Sequence, residues 1–142
     1  MVDGKLVRDN AFWKTVNFNF YDLSILEWCK LFADVKGKHY WGKIVPNKVD
    51  FESDLLSTLS INRKELDNYS EEMRKSRDKF IAHLDSEETD YRPYMDLALE
   101  SVIYYYQYIL KHENEENNYS EFPKDLRLFY DSCSKEANFE YK

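Results

Sequence analysis

The sequence predicts an all-α protein: an up-and-down bundle of four to five antiparallel helices, with a longer irregular loop near residues 33–49. Three observations carry that expectation. The 142 residues include only 3 Gly and 3 Pro, too few for the tight turns of a strand-rich chain. Apolar residues recur at 3-and-4 spacing over long stretches, the repeat of a helix with one buried face. Finally, 43% hydrophobic and 17% aromatic residues are enough to build a core that a disordered chain of similar charge lacks. The length fits one domain, residues 1–142,.

The elements follow in order. Phe12, Trp13 and Val16 mark a first helix over about 7–17, and Tyr21, Ile25, Trp28, Cys29 and Phe32 a second that Asp22 opens,. Gly37, Gly42, Pro46 and Asn47 break the pattern into the irregular connection, and His39, Tyr40 and Trp41 are expected to anchor it to the body,. Asp50 is the expected cap of a short helix to about Leu59, with Phe51, Leu55 and Leu59 on one side,. Asn62 and Glu65 have the spacing of a capping box,. The helix behind them carries Leu66, Tyr69, Met73, Phe80 and Leu84 in one line, with Arg77 in the gap between Met73 and Phe80. The run from Asp85 to Asp90 is an acidic loop, and Pro93 is expected at the first position of the next helix,. That helix turns Met95, Ala98, Leu99, Val102, Tyr105, Tyr106 and Ile109 inward, and Lys111 with His112 suits its negative end,. After the polar stretch 113–121, a last helix begins near Pro123, with Leu126, Phe129, Tyr130 and Cys133 facing in. The tyrosines Tyr104, Tyr105 and Tyr106 read as core and interface residues,.

Composition removes several classes of function. A net charge of −7 argues against broad coating of nucleic acid, although a small basic cleft on an acidic body remains compatible with it. Cys29 and Cys133 stand far apart with no CxxC pattern, which predicts free thiols in a reducing compartment,. No apolar run approaches the roughly 20 residues that span a bilayer. The first five residues, Met1 to Lys5, lack the apolar h-region of a signal peptide, so a cytoplasmic protein without a membrane partner is expected,. Ungrouped glycines make neither a phosphate-cradling loop nor a dinucleotide fingerprint, and no Glu-x-x-His or Gly-x-Ser-x-Gly occurs,. Glu71-Glu72, Glu87-Glu88 and Glu115-Glu116 are adjacent pairs, and on a helix neighbours point about 100° apart. They read as solvated surface, and neither a metal site nor a cofactor is expected.

Arg77 is the anomaly. A guanidinium on the apolar line of a helix needs a carboxylate partner, an edge position or a phosphate, because unpaired buried charge is expensive. The surrounding stretch runs Arg77-Asp78-Lys79-Phe80-Ile81-Ala82-His83-Leu84-Asp85. It resembles the signature of the HEPN superfamily (higher eukaryotes and prokaryotes nucleotide-binding): an arginine, a polar residue, and a histidine four to six residues beyond. The stretch from Trp28 to Phe32 and the trio His39, Tyr40 and Trp41 add a likeness to the abortive-infection branch, over about residues 18–112. Some toxins of this superfamily carry a tyrosine two residues after the histidine, which a partner nucleotidyltransferase modifies; here that position is Asp85.

The resemblance implies a metal-independent endoribonuclease, acting as a homodimeric toxin or antiviral defence effector and paired with an antitoxin or nucleotidyltransferase. RNA supplies its own nucleophile, the 2′-hydroxyl, so such an enzyme needs only proton transfer and charge stabilisation. His83 would move the proton, Arg77 would meet the phosphate, and Asp78 would hold the arginine or a water. Arg74, Lys75 and Lys79 would add RNA-binding charge, since the stretch 74–79 holds four basic residues and one acid. Arg77 and His83 are six positions apart, about 120° around a helix and about 9 Å along it. Convergence on one phosphate therefore needs a helix end or bend before His83, or a twofold partner. The alternative is a noncatalytic helical interaction module in which both residues hold an interface.

Overall fold

A computed structural model of the chain describes residues 11–82, 93–112 and 120–140. Among them are five α-helices and no strand, an all-α helical bundle: α1 Ala11–Trp28, α2 Lys48–Leu59, α3 Arg63–Ala82, α4 Asp96–Lys111 and α5 Leu126–Glu140. None of these helices is long and apolar enough to cross a membrane. The chain divides into two compact units, Phe20–Val102 and Met1–Asn19 with Ile103–Lys142.

The two helices expected before residue 33 are one. From Ala11 to Trp28 the backbone is continuous, and a π-helical turn, Cys29–Ala33, carries it on. The physical reason is the absence of any Gly or Pro between Gly4 and Gly37, so Asp22 has no chain break to open. The Ser24 hydroxyl, mid-helix, donates back to the Phe20 carbonyl at 2.8 Å, which lets a polar side chain sit there without disrupting the ladder.

The connection after the π-turn is irregular, as its composition predicts, apart from a short 3-10 turn, Trp41–Lys43. Trp41 and Val45 are its buried anchors, and the Trp41 ring lies 4.7 Å from that of Phe51. His39 is exposed and anchors nothing. The cap of α2 is Asn47 rather than Asp50: the Asp50 N–H donates to Asn47 Oδ1 at 3.3 Å. At the other end Ser60 takes a left-handed conformation, φ 55°. Ile61 N–H closes onto the Leu56 carbonyl and Ser60 N–H onto that of Ser57, each at 3.1 Å, a Schellman ending that usually recruits glycine.

The capping box at the start of α3 is as read: Asn62 N–H donates to Glu65 Oε2 at 2.7 Å, and Glu65 N–H to Asn62 Oδ1 at 3.0 Å. The buried line of α3 then runs Leu66, Ser70, Met73, with Arg77 next in the same 3-and-4 rhythm.

In the unit Phe20–Val102 the centre is Trp28, 2% exposed. Its ring stacks on Phe32 at 5.3 Å and meets Tyr69 edge-on at 5.2 Å. Its Nε1–H donates to Ser101 Oγ at 2.8 Å, and Ser101 in turn donates to the Ala98 carbonyl at 2.8 Å. The indole and the fully buried hydroxyl thereby satisfy each other, avoiding the about 1–3 kcal/mol that an unpaired buried polar group costs.

Helix α4 starts at Asp96, three residues later than Pro93 predicts. Tyr21 donates its hydroxyl proton to the Pro93 carbonyl, and Tyr69 donates to that of Tyr94 at 2.6 Å. Both carbonyls are thus taken by side chains, and Met95 is the first whose oxygen accepts a helical N–H, from Leu99 at 2.9 Å. Burial and the neighbouring acids push the Tyr69 phenol well above its ordinary range, partly opposed by a backbone hydrogen bond from Ala98. At the far end the His112 ring stacks on Tyr108 at 4.0 Å, and its Nδ1 lies 2.8 Å from the Tyr108 carbonyl.

In the other unit, Tyr105 is buried, and Tyr106 donates to the Pro123 carbonyl at 2.5 Å. Asp125 caps α5 by accepting from Leu128 N–H at 3.0 Å. Of the inward face expected for α5, only Leu126 is partly covered. Phe129 and Tyr130 are 50% and 44% exposed, and Cys133 is exposed. Leu126, Arg127, Asp131, Ser134 and Ala137 are the half-covered positions. Helical spacing sets the period of a face; a neighbouring element sets its phase.

Candidate functional site

The π-turn is where the site begins. Asp34 N–H closes onto the Cys29 carbonyl at 2.8 Å, five residues back, which inserts one more residue into the turn than an α-helix holds. Asp34 leaves the helix there, and its carbonyl accepts from Gly37 N–H at 2.7 Å. A Cβ on Gly37 would stand 3.0 Å from that oxygen, so the tight reversal favours a residue without one.

Asp34 reaches Arg77, four positions beyond Met73 on α3. Arg77 Nη1 donates to both carboxylate oxygens of Asp34, at 2.6 and 2.8 Å. Its Nε donates to Asp78 Oδ1 at 3.0 Å. The Arg77 side chain is 19% exposed and that of Asp34 33%. The Asp34 hydrogen bond is the main influence holding the guanidinium more firmly protonated than usual; burial opposes it and Asp78 adds to it. Of the three ways to accommodate an arginine on an apolar line, the structure uses the carboxylate partner at a half-open position.

Cys29 lies at the foot of this corner, with 0% exposure. Burial pushes its thiol up to about 11, against the opposing pull of Arg77. A thiol so raised is protonated at neutral pH and is no nucleophile.

The predicted RNA-binding residues divide around the helix. Arg74 and Arg77, three apart, lie about 60° from each other, whereas Lys79 is about 160° from Arg77. Lys75 is bound to Glu71 at 3.0 Å, and this contact holds the Glu71 carboxyl below its usual range. Arg74, Lys75 and Lys79 are all exposed. The structure brings together Arg77, Asp78 and Asp34, with Arg74 on the same side, and leaves Lys75 and Lys79 elsewhere. His83 lies outside the described residues, as do Asp85 and the acidic stretch 85–90. Among the described residues no three His, Cys, Asp or Glu gather as a metal-holding group.

Asp34 is the partner of Arg77 that sequence reasoning misses. A signal for it exists: between Glu27 and Asp50 it is the one carboxylate in the chain, so a cation facing that segment has a single partner available. Compared with protein-family models, curated proteins and solved structures, the chain gives no match.

Proposed function

We propose that the protein is a metal-independent endoribonuclease that works as a homodimer, a toxin or defence effector in which Arg77 receives the scissile phosphate. The observation that supports this reading is the held guanidinium. Asp34 and Asp78 fix it from two sides at a half-buried position, so little reorganisation is needed when charge grows on a phosphate beside it. In the proposed reaction the 2′-oxygen loses its proton and bonds to phosphorus, the bond to the 5′-oxygen breaks, and that oxygen takes up a proton. The products are a 2′,3′-cyclic phosphate and a 5′-hydroxyl. His83 is the group assigned to the proton, on the resemblance of the Arg77–His83 segment to the HEPN signature. Asp78 acts as a positioning residue on the arginine, and Asp34 joins it there.

The second reading is a noncatalytic helical interaction module, for which a nucleotidyltransferase is the candidate partner. The same corner favours it from the other direction, since two carboxylates satisfy Arg77 without any substrate.

Cleavage of RNA in the presence of a chelator separates the two. The ribonuclease reading expects cutting by the unmodified chain, a loss of roughly 100-fold or more in Arg77→Ala, comparable to removing an oxyanion donor, and abolition in His83→Ala. It also expects cyclic-phosphate termini. Cutting that survives both substitutions, or that requires added divalent metal, sinks it. A folded dimer that cleaves no RNA, with Arg77→Ala and Asp34→Ala only lowering the melting temperature, establishes the second.

A further inference from the structure

The segment that follows Asp34 carries a feature unused so far. Between Val35 and Val49 the chain places four lysines, Lys36, Lys38, Lys43 and Lys48, and no acid, in a protein with 27 acidic residues against 20 basic ones. All four are exposed. Elsewhere several basic side chains are paired: Lys30 with Glu27, Arg63 with Glu52 and Asp67, Lys75 with Glu71, Arg77 with Asp34 and Asp78. Among the described residues, the four lysines of this segment make no ion pair.

The segment is also built. Lys43 Nζ donates to the Lys36 carbonyl at 2.9 Å, which brings two cation-bearing positions together across seven residues of chain. Gly42 lies under the Tyr40 ring so closely that a Cβ would meet Cε1 at 2.6 Å. Trp41 and Val45, both buried, pin the same stretch. Gathering like charges without a counter-charge is unfavourable, and a bound polyanion relieves it.

We infer that this lysine segment, 36–48, docks the phosphate backbone of single-stranded RNA and leads it to Arg77. The partner class rests on the ribonuclease reading above. The path rests on Asp34, which is two residues from Lys36 in the chain and bonded to Arg77 through its side chain. Lysines are point charges that attract phosphates without reading bases, so the segment supplies affinity and direction while Arg77 meets one phosphate. Val35, Ile44 and Val49 stand exposed beside Lys36, Lys43 and Lys48. Lysines interleaved with aliphatic side chains also suit an anionic bilayer, and that is the competing partner to be tested.

The probe is a fluorescent single-stranded oligonucleotide with 2′-O-methyl riboses, which has no 2′-hydroxyl to attack and stays intact. Its binding to the full chain is followed by anisotropy over a salt series, for the unmodified protein, Lys36→Glu with Lys43→Glu, and Lys38→Glu with Lys48→Glu. The expectation is a Kd raised at least about 10-fold in each double variant. The slope of log K against log salt should also fall by about 1.4, for two phosphates lost from a single strand. Unaltered helical circular dichroism shows that the variants fold. No binding by the unmodified chain, or variants with unchanged Kd and slope, overturns the inference. Capture by vesicles containing phosphatidylserine that the double variants lose, with RNA binding unaffected, also overturns it, in favour of a bilayer. The two readings fail separately. Lysine-dependent binding without cleavage of ordinary RNA sinks the ribonuclease alone, and cleavage with lysine-independent binding sinks this inference alone.

Discussion

Met73 on α3 and Phe129 on α5 look alike in sequence, each a large apolar residue on a line of helical spacing, yet Met73 is 0% exposed and Phe129 50%. Leu66 and Ser70 share the fate of Met73; Tyr130 and Leu128 share that of Phe129. Even the cysteines divide this way, Cys29 buried beneath the Arg77 corner and Cys133 exposed on α5. An amphipathic pattern thus says that a face exists. Whether that face is covered depends on what another part of the chain brings to it.

The comparison breaks most directly at Met73. Met73→Ala is expected to cost about 3 kcal/mol, the usual range for removing a buried Met, because the surrounding side chains relax only partly into the space. Urea unfolding followed by circular dichroism gives the value. A loss under about 1 kcal/mol would mean that the α3 line is less tightly packed than its burial indicates.

Next in size is the alkaline response of Cys29. Its thiol titrates near 11 when folded against 9.0 ordinarily, so between these values the unfolded chain holds fewer protons than the folded one. Stability contributed by the protonated thiol is complete below pH 9 and is lost as pH rises toward 11, by at most about 3 kcal/mol for a shift of this size. Unfolding free energies measured across that window in the parent and in Cys29→Ala check it, the variant showing the shallower decline. In the parent at pH 8, a maleimide is expected to label the exposed Cys133 within minutes and the buried Cys29 only on unfolding.

Smaller again is the cap of α3. Asn62→Ala removes the acceptor for Glu65 N–H and is expected to cost about 1 kcal/mol, with a matching fall in thermal midpoint. The smallest effect belongs to α5: Phe129→Ser is expected within about 0.5 kcal/mol of the parent. A cost near that of Met73→Ala would erase the contrast and show that the α5 face is covered in solution.

The capping box at Asn62 and Glu65, the Leu59 end of α2 and the buried positions Leu66 and Met73 were legible because the information lies within a few neighbouring residues. Hydrogen bonds three positions apart and a 3.6-residue repeat leave a local trace. Ser101 left none: a serine on α4 reads as polar surface until the Trp28 indole arrives from 73 residues away. The start of α4 departs from Pro93 for the same reason, since Tyr21 and Tyr69 take the carbonyls that Pro93 and Tyr94 would otherwise bring to the helix. At the candidate site, Arg77 stood out by being a charge where an apolar side chain belongs, and its need for a carboxylate followed from the cost of burying it.

By itself, then, the sequence determined the helical class, most of the α2 and α3 boundaries and the oddity of Arg77, all consequences of local spacing and of the cost of desolvating a charge. Tertiary structure alone decided that Asp34 is the partner, because a π-turn aims it across 43 residues of chain at the guanidinium. It also decided which face of α5 is covered, and that the lysines after Asp34 stand without counter-charges. Each depends on what meets what in space, and contacts between distant segments leave no periodic mark on the chain that makes them.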